Sequence, residues 1–398
     1  MINKITDSVY FVGSFNPNLR VSDVIIPTNF GTSYNSYIIK DTKIALVETC
    51  HPDFWEIYLE NIKEVCDPQN IDYIVINHTE PDHSGCLAQL LKLATNAKIV
   101  CSNAGAIYLK NIVNRTDLDF IIVKDNDELD LGTQKLKFIS APFLHWPDSI
   151  FTYLENEKIL FSCDFLGAHY CEPYIFDYKT KFEAQYEIAM KNYFDAIFGP
   201  FKSYVISGLD KISGLQIDFV CTSHGPVLTK NKLNFVIQKY REWSTIRPNT
   251  VKTIPIFYCS AYGNTLKLAE KIKDGIISQL PDTIVDIYNI IDYDINMLCS
   301  KLNESGAFLI GSPTINRDAV PPVWHLLSGV DAVNCRNKNV AVFGSFGWSG
   351  EAVGFITERL KSLKFNVFEP SFKINFVPSE NDLDAAKQFG LNFAKTIV

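Results

Sequence analysis

The stretch Tyr73-Ile74-Val75-Ile76-Asn77-His78-Thr79-Glu80-Pro81-Asp82-His83 carries more of this chain's chemistry than any other. An apolar strand runs into a turn, and four metal-capable side chains, His78, Glu80, Asp82 and His83, follow before the next helix. At a strand end the backbone turns, so side chains close in sequence can converge on one point. Asp82 can cap the helix expected from about Ser84 to Leu93. Capping explains neither histidine nor Glu80.

Three later residues repeat the theme. His145 follows Leu136 to Ile139 in Phe143-Leu144-His145-Trp146-Pro147-Asp148. Asp164 ends the run Ile159 to Cys163, and His224 follows Phe219 to Ser223 and precedes Gly225-Pro226. Each stands where an apolar run stops, before a small or turn residue. Any one alone reads as a loop or core residue; the three together with the cluster read as a metal site. Two hairpins are expected: Tyr37–Ile39 with Ile44–Val47, and Ile150–Leu154 with Lys158–Cys163. A helix is expected from near Phe54 to Val65. Hairpins first, then strands alternating with helices, predict two sheets sandwiched between helices over residues 1–248.

Pro248 and its polar neighbours mark a boundary. Beyond it, buried-strand signals at Thr253–Tyr258, Gly306–Ile310 and Asn339–Phe343 alternate with helices expected over Thr265–Gln279 and Glu351–Leu363. This pattern predicts an open, doubly wound parallel sheet over 251–398, with ligands bound outside the carboxyl ends of its strands. Three loops leave those ends. Ser260-Ala261-Tyr262-Gly263-Asn264-Thr265 opens a helix, where backbone N–H groups and hydroxyls cradle a phosphate; the alternative is a plain helix cap. Ser312-Pro313-Thr314-Ile315-Asn316 follows the second strand, and Ser345-Phe346-Gly347-Trp348-Ser349 the third. Phe346 or Trp348 can stack on a flat ring, or either can belong to the core. No G-x-G-x-x-G fingerprint is present, which argues against NAD or FAD.

Composition narrows the class. In 398 residues, 47% are hydrophobic and 21% charged, with a net charge of −8. That is globular composition without the basic stripe of a nucleic-acid binder. The acidity lies in the first half, since residues 251–398 carry 14 basic and 15 acidic side chains. No apolar run approaches the roughly 20 residues of a bilayer span. The N-terminus lacks a signal-peptide core. A cytoplasmic protein, with no membrane partner, is the expectation. The ten cysteines include no C-x-x-C pair and read as buried reduced thiols.

The ligand order resembles the metallo-β-lactamase fold, whose usual cluster is H-x-H-x-D-H followed by a distant His, Asp and His. Here Glu80 stands in place of the second histidine, and added carboxylate favours iron or manganese over zinc. That resemblance implies two metals bridged by Asp164. His78, Glu80 and His145 complete one subsite; Asp82, His83 and His224 complete the other. A bridging oxo or hydroxo group is expected. The second half resembles flavodoxin and its S/T-x-x-G-N-T phosphate loop. A metallo-β-lactamase-like αββα sandwich followed by a flavodoxin-like sheet resembles the flavodiiron (A-type flavoprotein) family.

Membership implies two irons and FMN, reduction of dioxygen to water or nitric oxide to nitrous oxide, and a head-to-tail homodimer or dimer of dimers. With the chain ending at Val398, an external electron donor is expected, rubredoxin or in some relatives a reduced deazaflavin. Phe30 stands where some members carry a histidine near the substrate pocket. His169 reads as a pocket residue or as a support for the ligands, and Tyr193 as a pocket or core tyrosine; His51 and His325 read as structural or surface residues. Two rival classes stay open: a metallo-β-lactamase-fold hydrolase and a non-turnover diiron oxygen sensor.

Overall fold

The structure is a computed structural model that describes residues 3–245 and 253–397. The chain divides into two units, Met1–Ile246 and Arg247–Val398. The boundary expected at 248–251 lies outside the described residues.

Side-chain alternation sets the layers of the first unit. From the strand Tyr37–Lys40, Tyr37 and Ile39 face one core and Ile38 faces another. Tyr37, Ile39, Val47 and Val75 come from a seven-stranded sheet and meet Phe138, Leu154 and Phe161 of a six-stranded sheet. On the outer side, Ile38, Leu46 and Ile74 pack under Tyr58 and Ile62 of the helix Trp55–Val65. Phe151, Leu160 and Val220 pack under Met190, Leu209 and Val236 from three other helices. Each sheet therefore buries both faces, and the result is the expected helix–sheet–sheet–helix sandwich.

Strand direction then gathers the chemistry. Ile44–Val47, Ile71–Val75 and Lys98–Cys101 run parallel in the first sheet. Ile159–Cys163 and Phe219–Thr222 run parallel in the second. His78 lies just past the first set, and Asp164 and His224 just past the second. Cys163 takes a left-handed φ of 54°, and the ladder with Phe219–Thr222 shifts register there, which turns Asp164 out of the sheet.

The hairpins pair antiparallel as expected. The helix expected over Ser84–Leu93 does not form as one piece. Pro81–Ser84 and Leu87–Leu90 are separate short helices, because the Cys86 amide leaves the helical ladder to donate to the Cys50 carbonyl. A Cβ on Gly85 between them would sit 2.3 Å from the Pro81 carbonyl, so the turn needs glycine.

In the second unit the main parallel order is Ile287–Asn289, Ile256–Tyr258, Ala307–Ile315, Asn339–Phe346, Asn366–Val367. Numbered along the chain this is 2-1-3-4-5, the flavodoxin order. Phe372–Asn375 also pairs with Asn339–Phe346 and completes the fifth position. Leu268 and Phe393 cover one face; Leu298, Leu326 and Ile356 cover the other. Two expectations need correcting. The first strand begins only at Ile256, since Pro255 has no N–H for the ladder. The strands expected to stop at Ile310 and Phe343 run on to Ile315 and Phe346, so Ser312, Pro313 and Ser345 are buried strand residues and not loop. Added pairing from Asp318–Ala319 and Phe372–Asn375 carries them further.

Candidate metal centre and flavin loops

The seven residues singled out as ligands meet in the first unit as two clusters that share Asp164. His78, Glu80, His145 and Asp164 have ligand atoms within 4.8 Å of one another, and Asp82, His83 and His224 form a second such group. Asp164 Oδ2 lies 3.3 Å from His145 Nε2 and 3.7 Å from His78 Nε2. Its Oδ1 lies 3.2 Å from His83 Nε2 and 3.3 Å from His224 Nε2. Glu80 Oε2 sits 3.1 Å from His145 Nε2, and Asp82 Oδ2 3.1 Å from His224 Nε2.

Glu80 Oε2 is within hydrogen-bond distance of His145 and His78 Nε2, but the atoms around Asp164 are close without being paired. Both oxygens of Asp164, Asp82 Oδ1 and His83 Nε2 are buried and have no hydrogen-bond partner. Buried acceptors left so are costly. Their arrangement fits ligands that surround a shared cation. The charge balance says the same. Burial favours neutral rings, yet Asp82 and Asp164 draw His83, and Asp164 and Asp82 draw His224, up to about 10. Burial opposes the charge on Glu80, but His145 and His78 bring it down to about 2. Burial likewise opposes ionisation of Asp164, and the imidazoles led by His83 hold it well below the usual carboxylate range.

The flavin loops are built differently. Tyr258 is level with Gly311, Gly311 with Phe343, and Pro313 with Ser345, so all three loops leave one edge of the sheet. Gly263 starts the helix Asn264–Gln279 at φ 79°, and no side chain caps that helix. Its first N–H groups stay open to an anion. Ser260 Oγ is buried there without a partner, which fits a phosphate oxygen. Thr265 is buried, with its hydroxyl 2.9 Å from Ser345 Oγ. Ala261, Ile315, Asn316 and Ser349 are exposed, Gly347 is half-buried, and Thr314 Oγ1 accepts from the Ala352 amide. Tyr262 and Trp348 are 92% and 79% exposed, so neither is a core residue; Phe346 is half-buried beneath Lys373.

Comparison with known proteins agrees with both halves. Residues 32–225 match the ODP family beta lactamase model, and residues 256–390 match flavodoxin. The chain is 54% identical to flavo-diiron protein FprA2 of Clostridium acetobutylicum, over 99% of each. The chain belongs to the flavodiiron protein family. A nitric oxide reductase of Moorella thermoacetica is 33% identical, covering 99% of this chain and 98% of the relative. The structure of rubredoxin oxygen:oxidoreductase from Desulfovibrio gigas superposes with a TM-score of 0.71 at 28% identity, covering 100% and 98%. This flavodiiron protein is thus an oxidoreductase homologous to reductases of dioxygen and nitric oxide, and membership brings FMN and a diiron site.

Other residues of this flavodiiron protein complete the pocket. His169 is buried beside the second cluster, its ring 5.0 Å from His224 and 4.8 Å from Tyr193. Its Nδ1 lies 2.9 Å from Thr32 Oγ1. Burial first, then the neighbouring His224, push His169 down to about 3, so it is a neutral imidazole. Burial raises Tyr193 well above its usual range, so it keeps its proton. Trp146 and Phe198 close the wall around His145. Phe30 packs on Tyr170. His51 stacks on Tyr34 and caps a short turn, and His325 is exposed.

Sequence reasoning missed two buried acids. Asp148 lies 3.1 Å from His78 Nδ1, and Glu48 lies 3.7 Å from His83 Nδ1. Burial pushes Glu48 up to about 8. Glu48 closes the apolar run Ile44–Val47, the same signal that marks Asp164. Among the described residues, no helix is long and apolar enough to cross a membrane.

Proposed function

We propose that this flavodiiron protein reduces dioxygen to water or nitric oxide to nitrous oxide at a diiron centre, with electrons drawn through FMN from an external donor. Rubredoxin is the donor favoured by the names of its relatives, with a reduced deazaflavin as the alternative. The observation that carries the reading is the shared, unpartnered carboxylate of Asp164 between two clusters of imidazole and carboxylate.

His78, Glu80 and His145 would hold one iron, Asp82, His83 and His224 the other, and Asp164 both. With neutral imidazoles these residues bring three negative charges against the four positive charges of two divalent ions. A hydroxide bound with the ions would supply the missing one. The iron pair and FMN, when bound, supply the electrons that the reduction consumes. The protein's own side chains shape the rest. Tyr193 offers an O–H donor, and neutral His169 a ring nitrogen, toward the second cluster. Thr32 Oγ1 holds the His169 ring by its Nδ1. Trp146 and Phe198 keep water from the His145 side. In the second unit, Ser260 and the open helix N-terminus after Gly263 would take the FMN phosphate. Ser312 to Asn316 and Ser345 to Ser349 would frame the ring, with Tyr262 and Trp348 as exposed faces. We place the protein in the cytoplasm, as a head-to-tail homodimer or a dimer of dimers, with separate domains over 1–248 and 251–398.

The test is anaerobic. Purified protein is reduced, its iron and FMN are measured, and consumption of dioxygen and of nitric oxide is followed in separate runs. An iron pair, one flavin per chain and repeated turnover of either gas are expected. Zinc in place of iron with no gas uptake would overturn the reading in favour of a hydrolase; a single stoichiometric reaction with dioxygen would point to a sensor.

A further inference from the structure

Three imidazoles of the metal centre differ in what stands behind them. His78 Nδ1 lies 3.1 Å from Asp148 Oδ2, an oxygen that also accepts the Thr79 amide at 2.7 Å. His224 Nδ1 donates to the Ser33 backbone carbonyl at 2.7 Å. His83 Nδ1 faces Glu48 Oε2 at 3.7 Å, beyond a hydrogen bond. Glu48 instead uses Oε1 to accept the Asn77 amide at 2.7 Å. Asp148 and Glu48 are both about 1% exposed, so neither is diluted by solvent.

A carboxylate hydrogen-bonded to the rear nitrogen of a ligating imidazole fixes the ring and raises the basicity of the front nitrogen; a backbone carbonyl does this less. Hydrogen-bonded negative charge thus backs the cluster of His78, Glu80 and His145. The cluster of Asp82, His83 and His224 has a neutral carbonyl and a carboxyl group out of reach. We infer that Asp148 is a positioning residue that makes the two metal subsites unequal. It gives the His78 subsite the firmer hold on its iron and the stronger preference for the ferric state. This rests on the diiron reading above.

Asp148→Asn tests the charge with little change of shape. An amide oxygen in the place of Oδ2 keeps both hydrogen bonds, and the amide nitrogen replaces Oδ1, which has no partner. Holoprotein loaded with iron-57 is examined by Mössbauer spectroscopy and by competition with a chelator. Wild type is expected to show two distinct iron signals and to release its iron in two unequal halves. In Asp148→Asn one signal moves, and the firmer half is held about 10- to 100-fold less tightly. Glu48→Gln leaves that signal in place. Both signals and both halves unchanged in Asp148→Asn, or both altered alike, would overturn the inference. If that variant folds poorly, Asp148→Ser, which removes the charge in a smaller side chain, is read by the same criterion. Wild-type protein that holds no iron pair would overturn the diiron reading instead; a pair bound in two indistinguishable sites would overturn only this inference.

Discussion

The metal centre and the flavin loops reach their ligands by opposite means. In the first unit His78, His83, Asp164 and His224 are all buried, and they reach the centre from three different strand ends. In the second unit the chemistry is offered by backbone at a helix start and by Tyr262 and Trp348, which stand in solvent. The buried centre is held by the whole sandwich, and each side chain there has several partners. The flavin edge is assembled from short loops on a finished sheet. Damage should therefore spread in the first region and stay local in the second.

The largest expected effect is that of Asp164→Asn. It removes charge from the one residue common to both clusters, so iron analysis should find both metals lost and gas reduction gone, while FMN content stays at the wild-type level. Loss of one metal alone would break the contrast.

A second effect separates the regions by pH. In metal-free protein His83 and His224 are raised from 6.5 to about 10, so the fold binds their protons more tightly than the unfolded chain does. Their stabilisation is full below 6.5 and is lost as pH rises through about 10. Thermal melting of the metal-free first unit should fall by several degrees from pH 7 to 10. Metal-loaded protein, whose imidazoles are already deprotonated by the ion, should not follow.

Ser260→Ala comes next. A hydrogen bond to a charged group contributes about 1.5–3 kcal/mol, so FMN affinity should fall about 10- to 100-fold, read by flavin fluorescence on titration. Iron content should not change. The smallest effect is that of Gly263→Ala. A Cβ there meets nothing within 4 Å, so only the left-handed φ of 79° resists it. The cost is about 1 kcal/mol, roughly a fivefold loss of FMN affinity if carried by the bound loop.

Legibility in the sequence followed the same division. The seven residues of the metal centre could be picked out because four crowd together after one apolar strand and the other three each stand where an apolar run stops. Their convergence needed only the rule that such ends turn together. The layers were legible because residues such as Tyr37, Ile38 and Ile39 are apolar on both faces. Asp148 was harder, since its partner His78 is 70 residues away and no local pattern joins them. The break at Gly85 was hidden because the competing acceptor, the Cys50 carbonyl, is a tertiary contact. The overrun of the strands to Ile315 and Phe346 depended on pairing with Asp318–Ala319 and Phe372–Asn375, which local propensity does not reveal.

Each metal cluster also draws on both sheets. Glu80 and His78 follow a strand of the seven-stranded sheet, and His145 and Asp164 follow strands of the six-stranded one; the other cluster repeats this with Asp82 and His83 against Asp164 and His224. A cation in either place is a rivet across the open rim of the sandwich. Stripping the metals should leave the oily middle of the sandwich closed and let the rim breathe. Amide hydrogens near Val75, Cys163 and Thr222 would then exchange with heavy water faster, while those of the flavodoxin-like sheet keep their pace.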